Sequence, residues 1–180
     1  MTDIPRDMLS RAAASAMPQG RQGLHVFVDG CFEPGSGQGG WAFVAYRDGA
    51  EIAAGFGGAE NSANNRMELT AVLEAAAWIG GAAAGLPALI WSDSVYAVEG
   101  CNHWRAIWRN NGWKKSNPGG KARNRAIADA DLWRAVDLRL LQNPAIGIAW
   151  CKGHSGIAGN ERADELSDRG RRSIGRPRQA

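Results

Sequence analysis

Cysteine is scarce in this 180-residue chain: Cys31, Cys101 and Cys151 are an odd number at wide spacing. They form neither a disulfide framework nor a zinc pattern, so a reducing cytoplasm is the expected compartment. No run approaches 18 consecutive apolar residues, and no transmembrane helix or membrane partner is expected. Residues 1–22 hold no compact apolar stretch, because Asp3, Arg6, Asp7 and Arg11 interrupt them. They read as a weakly ordered leader rather than a secretory signal. No internal repeat is visible. With 44% apolar and 22% charged residues, the composition is that of one globular domain able to bury a core without staples.

Acidic residues are missing from one long stretch. Between Asn102 and Ala128 there are seven basic residues and no acid: Arg105, Arg109, Lys114, Lys115, Lys121, Arg123 and Arg125. The segment from Arg169 to Arg178 adds five more arginines. The remaining nine Lys and Arg share the chain with all 18 acids, leaving that part at −9. A basic segment on an acidic body fits a polyanion gripped at one place while carboxylates work at another. Two solvated surface stretches are the plainer reading, and for the Arg-rich tail, 171–180, it is preferred. In the middle stretch Trp104, Trp108 and Trp113 interleave with the charges. Trp104 and Trp108 share a face if helical, with Arg105 and Arg109 beside them. Cations next to indoles suit a nucleic-acid backbone. The rings are equally able to anchor the segment to the core, and both roles can hold for different rings.

Periodicity and turn residues give the element order β-β-β-α-β-α-α-β-α, an α/β layered domain. Strands are expected at Leu24–Val28, Trp41–Tyr46, Glu51–Phe56, Leu86–Trp91 and Ala145–Trp150. A Gly-rich loop spans Glu33–Gly40. Helices are expected from Asn64-Asn65 to about Gly80, after Ser92-Asp93-Ser94, over Asp129–Leu141 and over Asn160–Arg169. Asn117-Pro118-Gly119-Gly120 reads as a loop.

Four acids fall where such folds place active sites. Asp29 ends the first strand, Glu68 lies near the start of the first helix, and Asp93 ends the fourth strand. Asp164 follows Asn160 by four and shares its helix face. Clustered carboxylates repel unless a cation sits among them, and hard oxygen ligands suit Mg²⁺ or Mn²⁺. Two such ions about 3.5–4 Å apart can clamp the attacking water and the leaving oxygen of a phosphodiester. Singly, each acid has a plain structural role: Asp93 as a helix cap, Glu68 as a dipole partner, Asp164 as a surface charge. His154, in Lys152-Gly153-His154-Ser155-Gly156, is a loop imidazole able to shuttle a proton. The amides of Asn64 and Asn65 can bond 2′-hydroxyls or cap the helix.

These residues in this order resemble the type 1 ribonuclease H family. The matching segments are Val28-Asp29-Gly30, Asn64-Asn65-Arg66-Met67-Glu68-Leu69, Ser92-Asp93-Ser94-Val95-Tyr96, the basic Trp segment, Asp131-Leu132-Trp133, Lys152 to Gly156, and Asn160 to Leu166. Together they cover about residues 23–170, the expected domain. The resemblance implies a ribonuclease H-like fold, a five-stranded mixed sheet flanked by helices. It implies that Asp29, Glu68, Asp93 and Asp164 bind two Mg²⁺ ions, with Mn²⁺ as an alternative, and that His154 assists the water or product release. It implies endonucleolytic cleavage of the RNA strand of RNA–DNA hybrids, leaving 5′-phosphate and 3′-hydroxyl ends. The segment from about Trp104 to Arg125 would grip the DNA strand through Trp104, Trp108, Arg109, Trp113, Lys114, Lys115, Lys121 and Arg123. A monomer is expected, since nothing demands an oligomer.

The chain departs from the family pattern at several places. Glu33 replaces an Asn before Pro-Gly in a turn that is usually longer. Val95 stands where many members carry a Gln, and Ala63 where many carry a Thr that holds a DNA phosphate. An Asn expected before Asp-Leu-Trp matches Asn124 only with an insertion; otherwise the position is Asp129. Weaker substrate affinity or a preference for Mn²⁺ is the expectation. The rival readings are a non-catalytic hybrid-binding module, a different metal nuclease or strand-transfer enzyme, and a purely structural domain.

Overall fold

The computed structural model describes residues 23–115 and 126–174. The leader, the Asn117–Gly120 loop, Lys121, Arg123 and the last residues of the tail lie outside them. Strands β1 (Leu24–Glu33), β2 (Gln38–Arg47) and β3 (Ala50–Ala59) form an antiparallel meander. Helix α1 (Asn64–Ala82) leads to β4 (Ala88–Ser92), which pairs in parallel with β1. Then come α2 (Val95–Glu99), a π turn (Gly100–Trp104), α3 (Arg105–Asn110) and α4 (Ala130–Gln142). Strand β5 (Ile146–Trp150) pairs in parallel with β4, and α5 (Ala158–Arg172) closes the domain. The sheet order β3-β2-β1-β4-β5 is the expected five-stranded mixed sheet with helices on both faces.

Alternation along the strands assigns the faces. Val26, Val28, Phe43 and Ala45 bury against α1 in the larger core, whereas Phe27, Ala42 and Val44 meet Ala163 and Leu166 of α5. The α1 face is rich in alanine (Ala71, Ala75, Ala76), which lets the helix lie close to the sheet. The strands of the meander are longer than expected. Phe32 and Glu33 pair with Gly39 and Gln38, so the Gly-rich loop shrinks to a tight turn at Pro34–Gly37. Asp48 and Gly49, both at positive φ, make the two-residue hairpin between β2 and β3.

Three local expectations are corrected. Asn64 and Asn65 are the first residues of α1 and not its cap; Ala63 holds that position without a side-chain bond. The cap of α2 is Ser94, whose hydroxyl accepts from the Ala97 N–H, so Asp93 is free for another role. The last helix starts two residues before Asn160 and runs on to Arg172, so Arg171 belongs to the folded domain. Among the described residues no helix is long and apolar enough to cross a membrane.

Candidate active site and metal centre

Asp29 lies inside β1, opposite Ala42, because the strand does not turn at Gly30. Parallel pairing with β4 ends at Phe27–Trp91, so Asp29 emerges just past the end of β4, beside Asp93. Gly30 is what lets Glu68 join them. A Cβ there would overlap the backbone of Met67 and Glu68. A side chain at Gly153 would likewise strike the Asp93 carboxylate. One carboxylate oxygen from each of Asp29, Glu68 and Asp93 lies within 4.8 Å of the others. Asp164 belongs to a neighbouring group with His154 and Glu161. Its carboxylate is 3.9 Å from His154 Nδ1, and its field reaches Asp29.

The electrostatics are those of charges held together against their repulsion. Burial pushes the Asp29 carboxyl up to about 6; Asp93 and Asp164 push it the same way, while a Ser167 hydrogen bond and His154 oppose them. Glu68 is raised well above the usual carboxylate range by burial, then by Asp29 and Asp93, against the Gly30 N–H and the Asn64 amide. Its Oε2 is buried with no hydrogen-bond partner among the described residues. An orphaned buried oxygen among three converging carboxylates fits a divalent cation, which would supply the missing partner and favour the ionised forms.

Helix α5 holds this cluster through residues that the sequence did not single out. Asn160, fully buried, donates from Nδ2 to Asp93 Oδ2 at 3.3 Å and accepts from the Cys151 thiol. Ser167, also fully buried, donates to Asp29 Oδ2 at 2.6 Å. Each reads as an ordinary polar residue of a solvated helix face, so neither carries a signal without its tertiary partner. Arg171 bonds Glu33 Oε2 at 2.8 Å and Asp168 Oδ1 at 2.7 Å. The charge at Glu33 is therefore paired rather than bare.

The basic Trp segment divides. Trp108 and Trp113 pack against the large core, Trp108 edge-on to buried Trp133 at 5.3 Å and Trp113 beneath Arg134. Trp104 is more exposed, 5.8 Å from Trp108. Arg105 and Arg109 each reach Asp137 Oδ1 at 2.6 Å. Asp137 is only 3% exposed, so these arginines neutralise a buried acid. Lys114 and Lys115 stay exposed with Asn65. Asn64 is exposed too, with its amide on Glu68. Val95 is exposed in the first turn of α2. Asp129 has φ 53° and is clamped by Arg66, which also holds Asp131.

A layered α/β sheet with a largely buried carboxylate cluster at the switch between antiparallel and parallel strands defines a domain with a candidate acidic metal centre. The family model described as RNase H matches residues 21–172, and the chain belongs to that family. Among its relatives, Ribonuclease H of Cupriavidus necator is 38% identical over 157 residues, 86% of this chain and 99% of the relative. Ribonuclease H of Dichelobacter nodosus is 40% identical over 151 residues, 84% and 93% of the two chains. LC9-RNase H1, a type 1 RNase H with the type 2 active-site motif, superposes with a TM-score of 0.68 at 26% identity, over 88% of this chain and 75% of that one. A foamy viral protease-reverse transcriptase in complex with RNA/DNA hybrid shares the fold, with a TM-score of 0.72 at 18% identity, over 97% of this chain and 23% of that one.

Proposed function

We propose that this chain is a divalent-metal-dependent endonuclease that hydrolyses the RNA strand of RNA–DNA hybrids, leaving 5′-phosphate and 3′-hydroxyl ends. The observations that carry the reading are the convergence of Asp29, Glu68 and Asp93 and a buried Glu68 oxygen with no hydrogen-bond partner among the described residues. Asp29, Glu68, Asp93 and Asp164 would hold two Mg²⁺ ions, with Mn²⁺ able to replace them. Bound there, the metal supplies Lewis-acid activation of water and stabilisation of the leaving 3′-oxygen.

The chain's own residues do the rest. Asp29 and Glu68 bring buried negative charge that only a cation offsets. His154, exposed on its loop at φ 47° and within 3.9 Å of Asp164, exchanges a proton with water on the way in or with the product on the way out. Asn65 and Asn64 lie at the start of α1, in the same helix as Glu68, and in this reading their amides meet 2′-hydroxyls of the RNA strand. Lys114, Lys115 and Trp104, continued by Lys121 and Arg123, grip the DNA strand. Trp108, Arg109 and Trp113 serve that grip by tying the segment to the core. Paired Glu33 costs little phosphate affinity, whereas Ala63, Val95 and Asp129 supply no donor to a DNA phosphate or base edge. The enzyme works as a monomer in the cytoplasm.

The test is a strand-labelled hybrid incubated in Mg²⁺, Mn²⁺ or EDTA, beside RNA and DNA duplexes. Cutting is expected in the RNA strand of the hybrid alone, absent in EDTA, and reduced at least about 10³-fold by Asp93→Asn. Cleavage of DNA duplex instead, or hybrid binding without cutting in either metal, would overturn the reading.

A further inference from the structure

We propose that Ser167 is a positioning residue that sets the metal affinity of the site through Asp29; the inference rests on the metal reading above. Helix α5 presents a polar stripe to the cluster at Asn160, Asp164 and Ser167, spaced four and then three residues apart and so on one face. Each member has a different task. Asn160 bonds Asp93, Asp164 is itself a ligand candidate, and Ser167 bonds Asp29. The flanking residues of the same helix, Ala163 and Leu166, are buried in the apolar contact with Phe27 and Val44. A hydroxyl in that setting needs a polar partner.

Ser167 has one proton and two oxygens within reach: Asp29 Oδ2 at 2.6 Å and the Asp164 carbonyl at 2.9 Å. The shorter contact is to the carboxylate, where a charge-assisted bond is the stronger. Ser167 is the only side chain hydrogen-bonded to that carboxylate among the described residues. The bond fixes the carboxylate plane of Asp29 from the α5 side and leaves its second oxygen unclaimed by the helix. Because the Asp164 carbonyl touches the same hydroxyl, one group ties β1 to the turn of α5 that bears Asp164. Ligand orientation by such an outer partner is worth about 10–100-fold in metal affinity.

The experiment is Mn²⁺ binding to the full chain, read by the loss of free-ion EPR signal without nucleic acid, for wild type, Ser167→Ala and Ser173→Ala. The Ser173 hydroxyl, at the C-terminal end of the same helix, bonds the Gly170 carbonyl and no group of the metal cluster among the described residues, so it controls for general effects on α5. Ser167→Ala is expected to weaken Mn²⁺ binding about 10-fold, and to raise the Mg²⁺ concentration for half-maximal hybrid cleavage by the same factor. Its kcat at saturating metal should stay within about threefold of wild type. Should the alanine variant fail to fold, Ser167→Cys keeps a weaker donor in place on a slightly larger side chain, and a smaller shift in the same direction is expected. Binding within twofold of wild type, an equal change in Ser173→Ala, or a loss of kcat that saturating metal does not restore would overturn the role. Absence of Mn²⁺ binding to the wild-type chain would overturn the metal reading itself.

Discussion

At the scale of single residues, the site trades stability for charge. Asp29 ordinarily titrates at 3.8 and stands at about 6 in the fold without metal. Between those two values the folded chain binds more protons than the unfolded one, so this group makes stability fall as pH rises. The shift corresponds to about 3 kcal/mol, fully expressed above pH ~6 and absent below pH ~4. Metal-free Asp29→Asn should therefore gain stability over wild type as pH rises from ~4 to ~7, with the gain flat beyond. Saturating Mg²⁺ should shrink it, because the cation favours the ionised form that the variant lacks. Paired thermal melts across that pH range, with and without metal, check both signs. Asp137 is the opposite case, a buried acid satisfied by Arg105 and Arg109. Asp137→Ala leaves two partly buried guanidinium groups without their partner. Equilibrium urea unfolding should show a loss of about 2–4 kcal/mol, with the metal site intact.

At the scale of elements, what could be read in advance depended on whether the signal was local. The four carboxylates were legible as candidates because each sits in a short local motif, although Asp29 proves to lie inside β1 and Asp164 in the middle of α5. The length of β1 was not, because Gly39 and Gly40 looked like loop residues until β2 paired them with Phe32 and Cys31. Ser94 and Asp93 are adjacent and both able to cap α2, and only the structure assigns the cap to Ser94. The roles of Ser167 and Asn160 depend on how α5 is turned against β1 and β4, which periodicity fixes only for apolar residues. The π turn after α2 has a similarly non-local cause. Gly100 lies beneath the Trp133 ring of α4, and a Cβ there would overlap that ring. Trp133 is also held by its Nε1–H donating to Tyr96 at 2.9 Å, so it cannot easily move aside. Gly100→Ala should destabilise by about 1–3 kcal/mol and shift the near-UV dichroism of the Trp cluster. A variant as stable as wild type would show that the π turn is not set by this contact.

At the scale of the whole molecule, the charge layout seen in the sequence survives folding in altered form. The acidic body gathers Asp29, Glu68 and Asp93 in the middle of the sheet, where β1 and β4 adjoin. The basic segment that leads away from it spends Arg105 and Arg109 internally on Asp137. What remains for a polyanion among the described residues of that segment is exposed Lys114 and Lys115, together with exposed Trp104. Each phosphate neutralised by a lysine releases counterions, so hybrid affinity should fall with salt at a slope proportional to the number of such contacts. The paired substitution Lys114→Ala with Lys115→Ala should lower the magnitude of that log–log slope by about 1–2, and weaken binding more at 50 mM than at 200 mM salt. Arg109→Ala should behave differently despite bearing the same charge. Its guanidinium is committed to Asp137, so the slope should stay within about 0.5 of wild type while the melting temperature drops. Fluorescence anisotropy on a labelled hybrid in Ca²⁺, with wild type titrated across the same salt range, separates the two. A slope change for Arg109 equal to that for one lysine would mean that the arginine leaves Asp137 to meet the nucleic acid.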